Sequence, residues 1–414
     1  MNRWIRLVGA VVAMMMISNL QYAWTLFVKP IVGATHWKLS DVQWGFSIFV
    51  ALETWMMPLS GWLIEWLGPR AFMTVAGIMC GVGWAGIGQA KTLPQLYVLY
   101  GLAGFGAALV YCGSIGIALK WFPDKRGLAA GMISAGFGSG SALSIPIIAS
   151  LLKTHDYHAA FLYTGIAQGL IIMLAAQVLQ NPSAAAVVPA APAKVQVRRH
   201  HEEFNAFEML RTPHFYLLFS MALMMGIGGL MATAQVAPMA DTLKIGAAAL
   251  TLSLTLNPVA NGGARVFWGW ISDHLGRERT MFIAFFLQAL VLVGVVTLGR
   301  ISTTWFIVTM ALVFFTWGEV YSLFPSICAD WFGARNVSSN YGFLYSAKGV
   351  ASLIGGGLAA ALFEKTGSWN YGFYACAVLA LITALLALGL RRMPLPHKQA
   401  ASKSQTAAVG NYAG

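Results

Sequence analysis

Four ionisable side chains interrupt otherwise apolar stretches of this 414-residue chain, namely those of Glu53, Arg265, Glu319 and Lys348. A charge at the centre of a membrane helix costs about 2.5–3.5 kcal/mol on insertion scales, so such residues usually face a cavity or a charged partner. One interpretation is that the two acids and the two bases form ion pairs that hold helices together. The other is an anion site, in which the bases bind the anion and the acids couple that binding to a proton.

Aromatic and polar side chains recur in the helical stretches around these charges. They are Gln21, Tyr22, Tyr111, Phe137, Trp317, Tyr321 and Tyr345. Trp317 and Tyr321 are four residues apart and therefore share one helix face. A ring of aromatic side chains with hydroxyl groups suits a small polar ligand. Together with Arg265 and Lys348, these residues predict a compact binding site for a small anion.

The segments that must position these residues are predicted to be transmembrane helices. Of all residues, 58% are hydrophobic and 10% are charged, whereas a soluble domain carries about 25% charged residues. An apolar run of about twenty residues crosses the hydrocarbon core as a helix, which satisfies its own backbone groups. Such runs lie near 7–28, 43–64, 71–89, 95–119, 127–150, 160–180, 214–236, 247–270, 280–299, 304–327, 338–362 and 370–390.

A short motif occurs twice, with the second copy 208 residues after the first. Each copy has a glycine, an acid four positions later, a second glycine, and then an arginine. The two copies are Gly61, Glu65, Gly68 and Arg70, and then Gly269, Asp273, Gly276 and Arg277. An acid near a helix end can pair with the arginine and hold one conformation closed. The repeat also predicts two six-helix bundles of the same orientation, with a binding site between them.

Composition divides the chain into four parts. We expect an N-terminal bundle at 1–182, a cytoplasmic linker at 183–213, a C-terminal bundle at 214–393 and a disordered cytoplasmic tail at 394–414. Most of the 26 lysines and arginines fall in one set of loops and in the termini. The positive-inside rule therefore predicts a multi-pass inner-membrane protein with both termini in the cytoplasm. The net charge of +12 is explained by this topology, and we do not expect nucleic-acid binding.

Cofactor, metal and catalytic sites are not predicted. The four cysteines have no metal-ligand spacing, and no histidine lies in the interior of a predicted span. The glycine-rich stretch at 136–140 is neither preceded by a strand nor followed by a lysine, so it indicates close helix packing and not a nucleotide loop. We expect a monomer in the lipid bilayer with no enzymatic activity.

Several longer runs resemble the oxalate–formate antiporter family of the major facilitator superfamily. They are 21–26, 121–128, 209–213, 268–273, 314–318 and 340–348. The resemblance implies an all-α membrane fold of twelve helices in two pseudo-symmetric bundles, and secondary active transport of small carboxylates by alternating access. It also implies that Arg265 and Lys348 hold the carboxylates. The chain departs from the family pattern at Phe137 and Tyr345, and at Glu53 and Glu319, where two acids are added.

Three other functions are alternatives to this one. A proton symporter for monocarboxylates of the lactate and pyruvate class differs from it only in substrate and coupling. A carboxylate sensor would need a signalling domain, for which the linker and the tail are too short. A membrane enzyme would need a nucleophile–base pair or a metal cluster, and the sequence predicts neither.

Overall fold

The computed structural model describes residues 2–182, 202–355 and 359–397, and within these ranges the secondary structure is helical, with no strand. Most of the predicted linker and tail lies outside the described residues. The N-terminal half contains α1 (Arg3–Tyr22), α2 (Trp24–Thr35), α3 (Leu39–Trp55), α4 (Met57–Leu67), α5 (Pro69–Ile87), α6 (Leu93–Trp121), α7 (Arg126–Thr154) and α8 (Tyr157–Ala176). The all-α membrane fold predicted from the sequence is thus confirmed.

The C-terminal half is preceded by one short helix, which lies at the end of the predicted linker. This short helix is α9 (Ala206–Leu210), and the helices of the C-terminal half are α10 (Pro213–Thr242), α11 (Ala247–Leu275), α12 (Arg277–Thr297), α13 (Thr303–Trp317), α14 (Val320–Phe332), α15 (Val337–Tyr345), α16 (Ala347–Leu353), α17 (Ala359–Thr366) and α18 (Asn370–Leu390). A 3-10 turn at Leu298–Arg300 follows α12.

Within the described ranges, nine helical stretches are long and apolar enough to cross a membrane, and the bent pair α3–α4 would make a tenth. Two of the twelve predicted spans are outside this count. One is α11, which carries Arg265, and the other is the interrupted α15–α17 stretch, which carries Lys348.

Helix interruptions occur beside the predicted site residues. The predicted span at 43–64 is two helices, α3 and α4, which meet at an angle of 54° just after Glu53. Pro58 lies in the first turn of α4 and has no backbone N–H to continue the hydrogen bonding of α3. Shorter interruptions of one or two residues separate Trp317 from Tyr321 and Tyr345 from Lys348, and the first of them leaves α13 and α14 in one span. The sequence predicted continuous helices at these places.

The second glycine of each motif copy forms the same turn. Gly68 has φ 76° and ψ 159°, and Gly276 has φ 90° and ψ 156°. A positive φ is costly for residues that carry a Cβ atom, so glycine is required at both positions. The sequence repeat is therefore a repeat of backbone structure, at the junctions α4–α5 and α11–α12.

The halves pack most extensively through two pairs of helices, α4 with α15 and α7 with α11. A Cβ atom at Gly61 would lie closer than 3.0 Å to the backbone of Ser339, and one at Gly131 equally close to the backbone oxygen of Arg265. Gly127 and Gly269 approach each other in the same way. Glycines thus allow backbones of the two halves to pack directly against each other, as small residues do between membrane helices.

Candidate functional site

A cavity of about 180 Å³ lies between the two halves. The N-terminal half contributes side chains from α1, α6 and α7, and the C-terminal half contributes side chains from α10, α11 and α13 to α16. All nine residues predicted to bind the substrate are in its lining: Gln21, Tyr22, Tyr111, Phe137, Arg265, Trp317, Tyr321, Tyr345 and Lys348. The structure therefore brings together side chains that are up to 327 positions apart in the sequence. That they bind a ligand stays a prediction.

Arg265 is held in place by neutral groups. It is 3% exposed, its Nε donates to Asn261 Oδ1 at 3.0 Å, and its Nη1 donates to the backbone oxygen of Ser134 at 2.6 Å. Its guanidinium carbon lies 4.2 Å from the ring centre of Tyr321, a cation–π contact. No carboxylate among the described residues forms an ion pair with Arg265. Its positive charge is therefore uncompensated in the cavity.

Lys348 has an acidic partner. Its Nζ lies 3.5 Å from Glu53 Oε2 and donates to the hydroxyl oxygen of Tyr345 at 3.0 Å. Glu53 is 1% exposed and belongs to α3, whereas Lys348 belongs to α16. This ion pair therefore crosses between the halves. Lys348 lines the cavity and Glu53 does not, so a ligand in the cavity meets the ammonium and not the carboxylate.

Glu319 is not brought to the cavity. It lies at the break between α13 and α14, is fully buried, and is absent from the cavity lining. Neither of its carboxylate oxygens has a hydrogen-bond partner among the described residues. The two acids that the sequence analysis grouped together therefore have different surroundings, and only Glu53 contacts a cation of the cavity.

Aromatic rings form most of the wall around the cations. The rings of Tyr111 and Tyr345 are 4.8 Å apart, and those of Tyr111 and Phe137 are 5.7 Å apart. On the C-terminal side, Trp317 and Tyr321 pack edge to face at 5.5 Å, a favourable geometry for aromatic pairs. A Cβ atom at Gly229 would collide with the Trp317 ring, so the ring packs directly against α10 at this glycine.

Polar residues of α10 and α11 were missed by the sequence analysis. Asn257, Asn261 and Thr233 line the same cavity, and Asn261 Nδ2 donates to the backbone oxygen of Phe314 at 3.0 Å. The signal was available in the sequence. Asn257, Asn261 and Arg265 are spaced by four residues, which places all three on one face of α11.

A buried ionic network closes one end of the cavity. Arg277 Nη1 lies 2.7 Å from Asp273 Oδ1, and Arg277 Nε lies 2.8 Å from Asp330 Oδ2. Asp330 also binds Arg126 Nη1 of the other half at 2.7 Å. The carboxylate of Asp273 accepts from the backbone N–H groups of Gly127 and of the following residue at 3.0 and 2.9 Å, at the N-terminus of α7. We call the end of the molecule that holds this network the closed end.

The N-terminal motif copy has no such network. Glu65 and Arg70 form no ion pair among the described residues. The cations that act electrostatically on Glu65 are Lys120 and Arg335, and neither forms an ion pair with it among the described residues. The two copies therefore share their glycine turn but not their ion pair. Their role as conformational gates stays a prediction.

Two packed helical halves, with a buried polar cavity between them, define a membrane transport protein of the two-bundle class. The chain belongs to the Major Facilitator Superfamily, whose sequence model matches residues 7–329 and 217–411. It is 39% identical, over 96% of its length and 94% of the relative, to the oxalate:formate antiporter of Oxalobacter formigenes. This confirms the family resemblance, and the protein is a multi-pass membrane transporter.

More distant proteins agree with this assignment. The chain is 25% identical to human monocarboxylate transporter 11, over 85% of this chain and 75% of the relative. The solved structure of the proton:xylose symporter superposes with a TM-score of 0.69 over 94% of this chain and 95% of that chain. At 12% identity, the latter likeness concerns the fold alone.

Proposed function

We propose that this protein is a secondary active transporter that carries small carboxylates across the inner membrane by alternating access. The observation that carries the proposal is the uncompensated charge of Arg265 in the cavity between the two halves. A buried cation without a partner is costly, and a bound anion removes that cost. We propose that the working unit is the monomer, since one chain supplies the whole cavity lining.

The shape of the Arg265 environment supports a carboxylate as the anion. Nε and Nη1 are occupied by Asn261 and Ser134, whereas Nη2 makes no hydrogen bond to a described residue. A guanidinium fixed in this way presents N–H groups in one plane, which matches the planar geometry of a carboxylate. The relative from Oxalobacter formigenes is named for two carboxylates, which agrees with this ligand class.

The conformation supports alternating access. The halves are held together at the closed end by Arg126, Asp273 and Asp330. The cavity lining on α11 runs from Arg265 to Leu254, away from that end and toward the α10–α11 turn. With cytoplasmic termini, as the positive-inside rule predicts, this is a state closed toward the cytoplasm. The reverse state requires the closed end to open and the opposite ends of the bundles to meet.

Exchange is the coupling that the charges favour. An empty carrier retains the positive charge of Arg265 in its cavity, whereas a loaded carrier is neutralised by the substrate. Moving the empty form through an occluded state of low dielectric is therefore the harder step. A proton gradient is the alternative driving force, and Glu53 is then the proton acceptor.

The test is uptake of labelled formate, oxalate, lactate and pyruvate into proteoliposomes, with and without counter-substrate inside. We expect Arg265→Gln and Arg265→Lys to abolish uptake, because a lysine cannot reproduce the planar contact. Arg300→Gln is the matched control, since Arg300 is exposed at the end of α12 and pairs with Asn370. Wild-type uptake by Arg265→Gln would refute the anion site, and uptake that needs an inward proton gradient would assign proton coupling.

A further inference from the structure

The two cations of the cavity are not equivalent. Arg265 has only neutral partners among the described residues, whereas the ammonium of Lys348 lies 3.5 Å from the carboxylate of Glu53. Two cations alone would give the cavity two positive charges. With Glu53 included, the group has a net charge of one.

The ion pair also stabilises the buried negative charge of Glu53. The carboxylate is 1% exposed, its oxygens have no hydrogen-bond partner among the described residues, and its one ion-pair partner there is this ammonium at 3.5 Å. Breaking a buried ion pair by removing one partner leaves an uncompensated charge, which is strongly unfavourable. A substrate carboxylate therefore cannot take Lys348 away from Glu53 without stranding a buried acid.

What the cavity offers to a ligand follows from this arrangement. Arg265 offers a full positive charge. Lys348 offers N–H donors but no net charge, because Glu53 neutralises it. The remaining lining is largely aromatic and aliphatic, with Leu230, Val236 and Phe314 on the C-terminal side. Such a site accommodates one carboxylate together with an uncharged remainder.

We infer that Glu53 is a specificity-determining residue that restricts the substrate to a single carboxylate group. This inference rests on the proposed function and names its substrate class as monocarboxylates. A bound monocarboxylate leaves the group of Arg265, Lys348 and Glu53 neutral. A dicarboxylate gives it an excess negative charge and places its second carboxylate near Glu53, where like charges repel strongly because little water screens them.

Propionate and malonate provide a direct test, since both have three carbons and they differ by one carboxylate. Their dissociation constants are measured by calorimetry on the purified full-length protein near neutral pH. We expect the wild type to bind propionate more tightly. In Glu53→Gln the freed charge of Lys348 shifts the ratio of the two constants toward malonate by about tenfold or more.

Two further variants make the result specific. The double variant Glu53→Gln with Lys348→Gln again leaves one net positive charge, so we expect the preference for propionate to return. This variant also tests the charge count if Glu53→Gln alone does not fold. Glu319→Gln is the matched control, because this buried glutamate is outside the cavity lining, and we expect its ratio to equal that of the wild type.

The outcomes separate the inference from the proposed function. Tighter binding of malonate than of propionate by the wild type overturns the role of Glu53, as does an unchanged ratio in Glu53→Gln. If neither compound nor any other small carboxylate binds to the wild type, the proposed function itself fails. Two results together support both the proposed function and the role of Glu53. Propionate binding is lost only in Arg265→Gln, and the ratio of the two dissociation constants shifts in Glu53→Gln.

Discussion

Arg126 offers a sharp test of the closed end, because its side chain is an ionic link from one half to the other. It is 8% exposed and binds Asp330 at 2.7 Å across the interface between α7 and α14. In Arg126→Gln, Asp330 keeps its second partner Arg277 at 2.8 Å within the same half. The substitution therefore removes a contact of the closed end without leaving a buried carboxylate unpaired.

The size of the effect follows from the kind of contact that is lost. A hydrogen bond between charged groups contributes about 1.5–3 kcal/mol, and Arg126 loses its contact only when the closed end opens. Taking about 2 kcal/mol, the ratio of open to closed molecules at this end rises about thirtyfold, since about 1.4 kcal/mol corresponds to a factor of ten.

Cysteine labelling measures this ratio. Ser339 is 8% exposed and packs against Gly61 at the closed end, so a cysteine there reacts with a maleimide only after opening. The four native cysteines, all buried, are replaced first. When opening is faster than labelling, we expect the labelling rate of Arg126→Gln to exceed that of the parent about thirtyfold.

The matched control for this experiment is Arg3→Gln. Arg3 binds Asp124 at 2.6 Å, at the same end of the molecule, but both residues belong to the N-terminal half, so the pair is the same in both conformations. We expect Arg3→Gln to label at the parent rate. If Arg126→Gln labels no faster than Arg3→Gln, the ionic network does not stabilise the closed end and the reasoning is wrong.

Two other substitutions test the size of the cavity and the close helix contact between the halves. Trp317→Ala removes the ring that packs against Gly229. We expect the variant to bind carboxylates of five or six carbons with about tenfold higher affinity than the wild type, as measured by competition binding. Unchanged affinities would contradict a size limit set by this ring. Gly61→Val places a side chain against the backbone of Ser339. We expect transport in proteoliposomes to fall to background, while substrate binding measured by calorimetry persists. Normal uptake would show that this contact does not form during transport.

The sequence was sufficient to predict the fold and nine residues of the cavity lining because both leave local signals. A charge in an apolar stretch is visible at Arg265 and Lys348 without knowledge of any partner. The side chains around them could be grouped because each lies near the middle of a predicted span. The position of a residue within its span thus predicts its depth in the membrane, and residues at equal depth in neighbouring helices can contact one another.

Partners across the two halves could not be predicted in the same way. Arg126 and Asp330 are 204 positions apart, and their pairing depends on how far the bundles are rotated against each other. The separate surroundings of Glu53 and Glu319 follow from helix orientation beside a break, at Met56 and at Gly318, where a regular helical period no longer predicts direction. The sequence therefore identified two acids inside spans, and only the packing showed which of them contacts a cation.

The two halves keep the same turn but close the molecule by different physical means. Between α7 and α14, Arg126 and Asp330 supply an attraction that must be overcome to open the closed end. On the α4–α15 side, Gly61 supplies only room for close backbone contact. Loss of attraction makes opening easier, whereas loss of room makes closing impossible. For this reason Arg126→Gln and Gly61→Val are both expected to expose the same end of the molecule, and only the first of them is expected to leave a carrier that can still close.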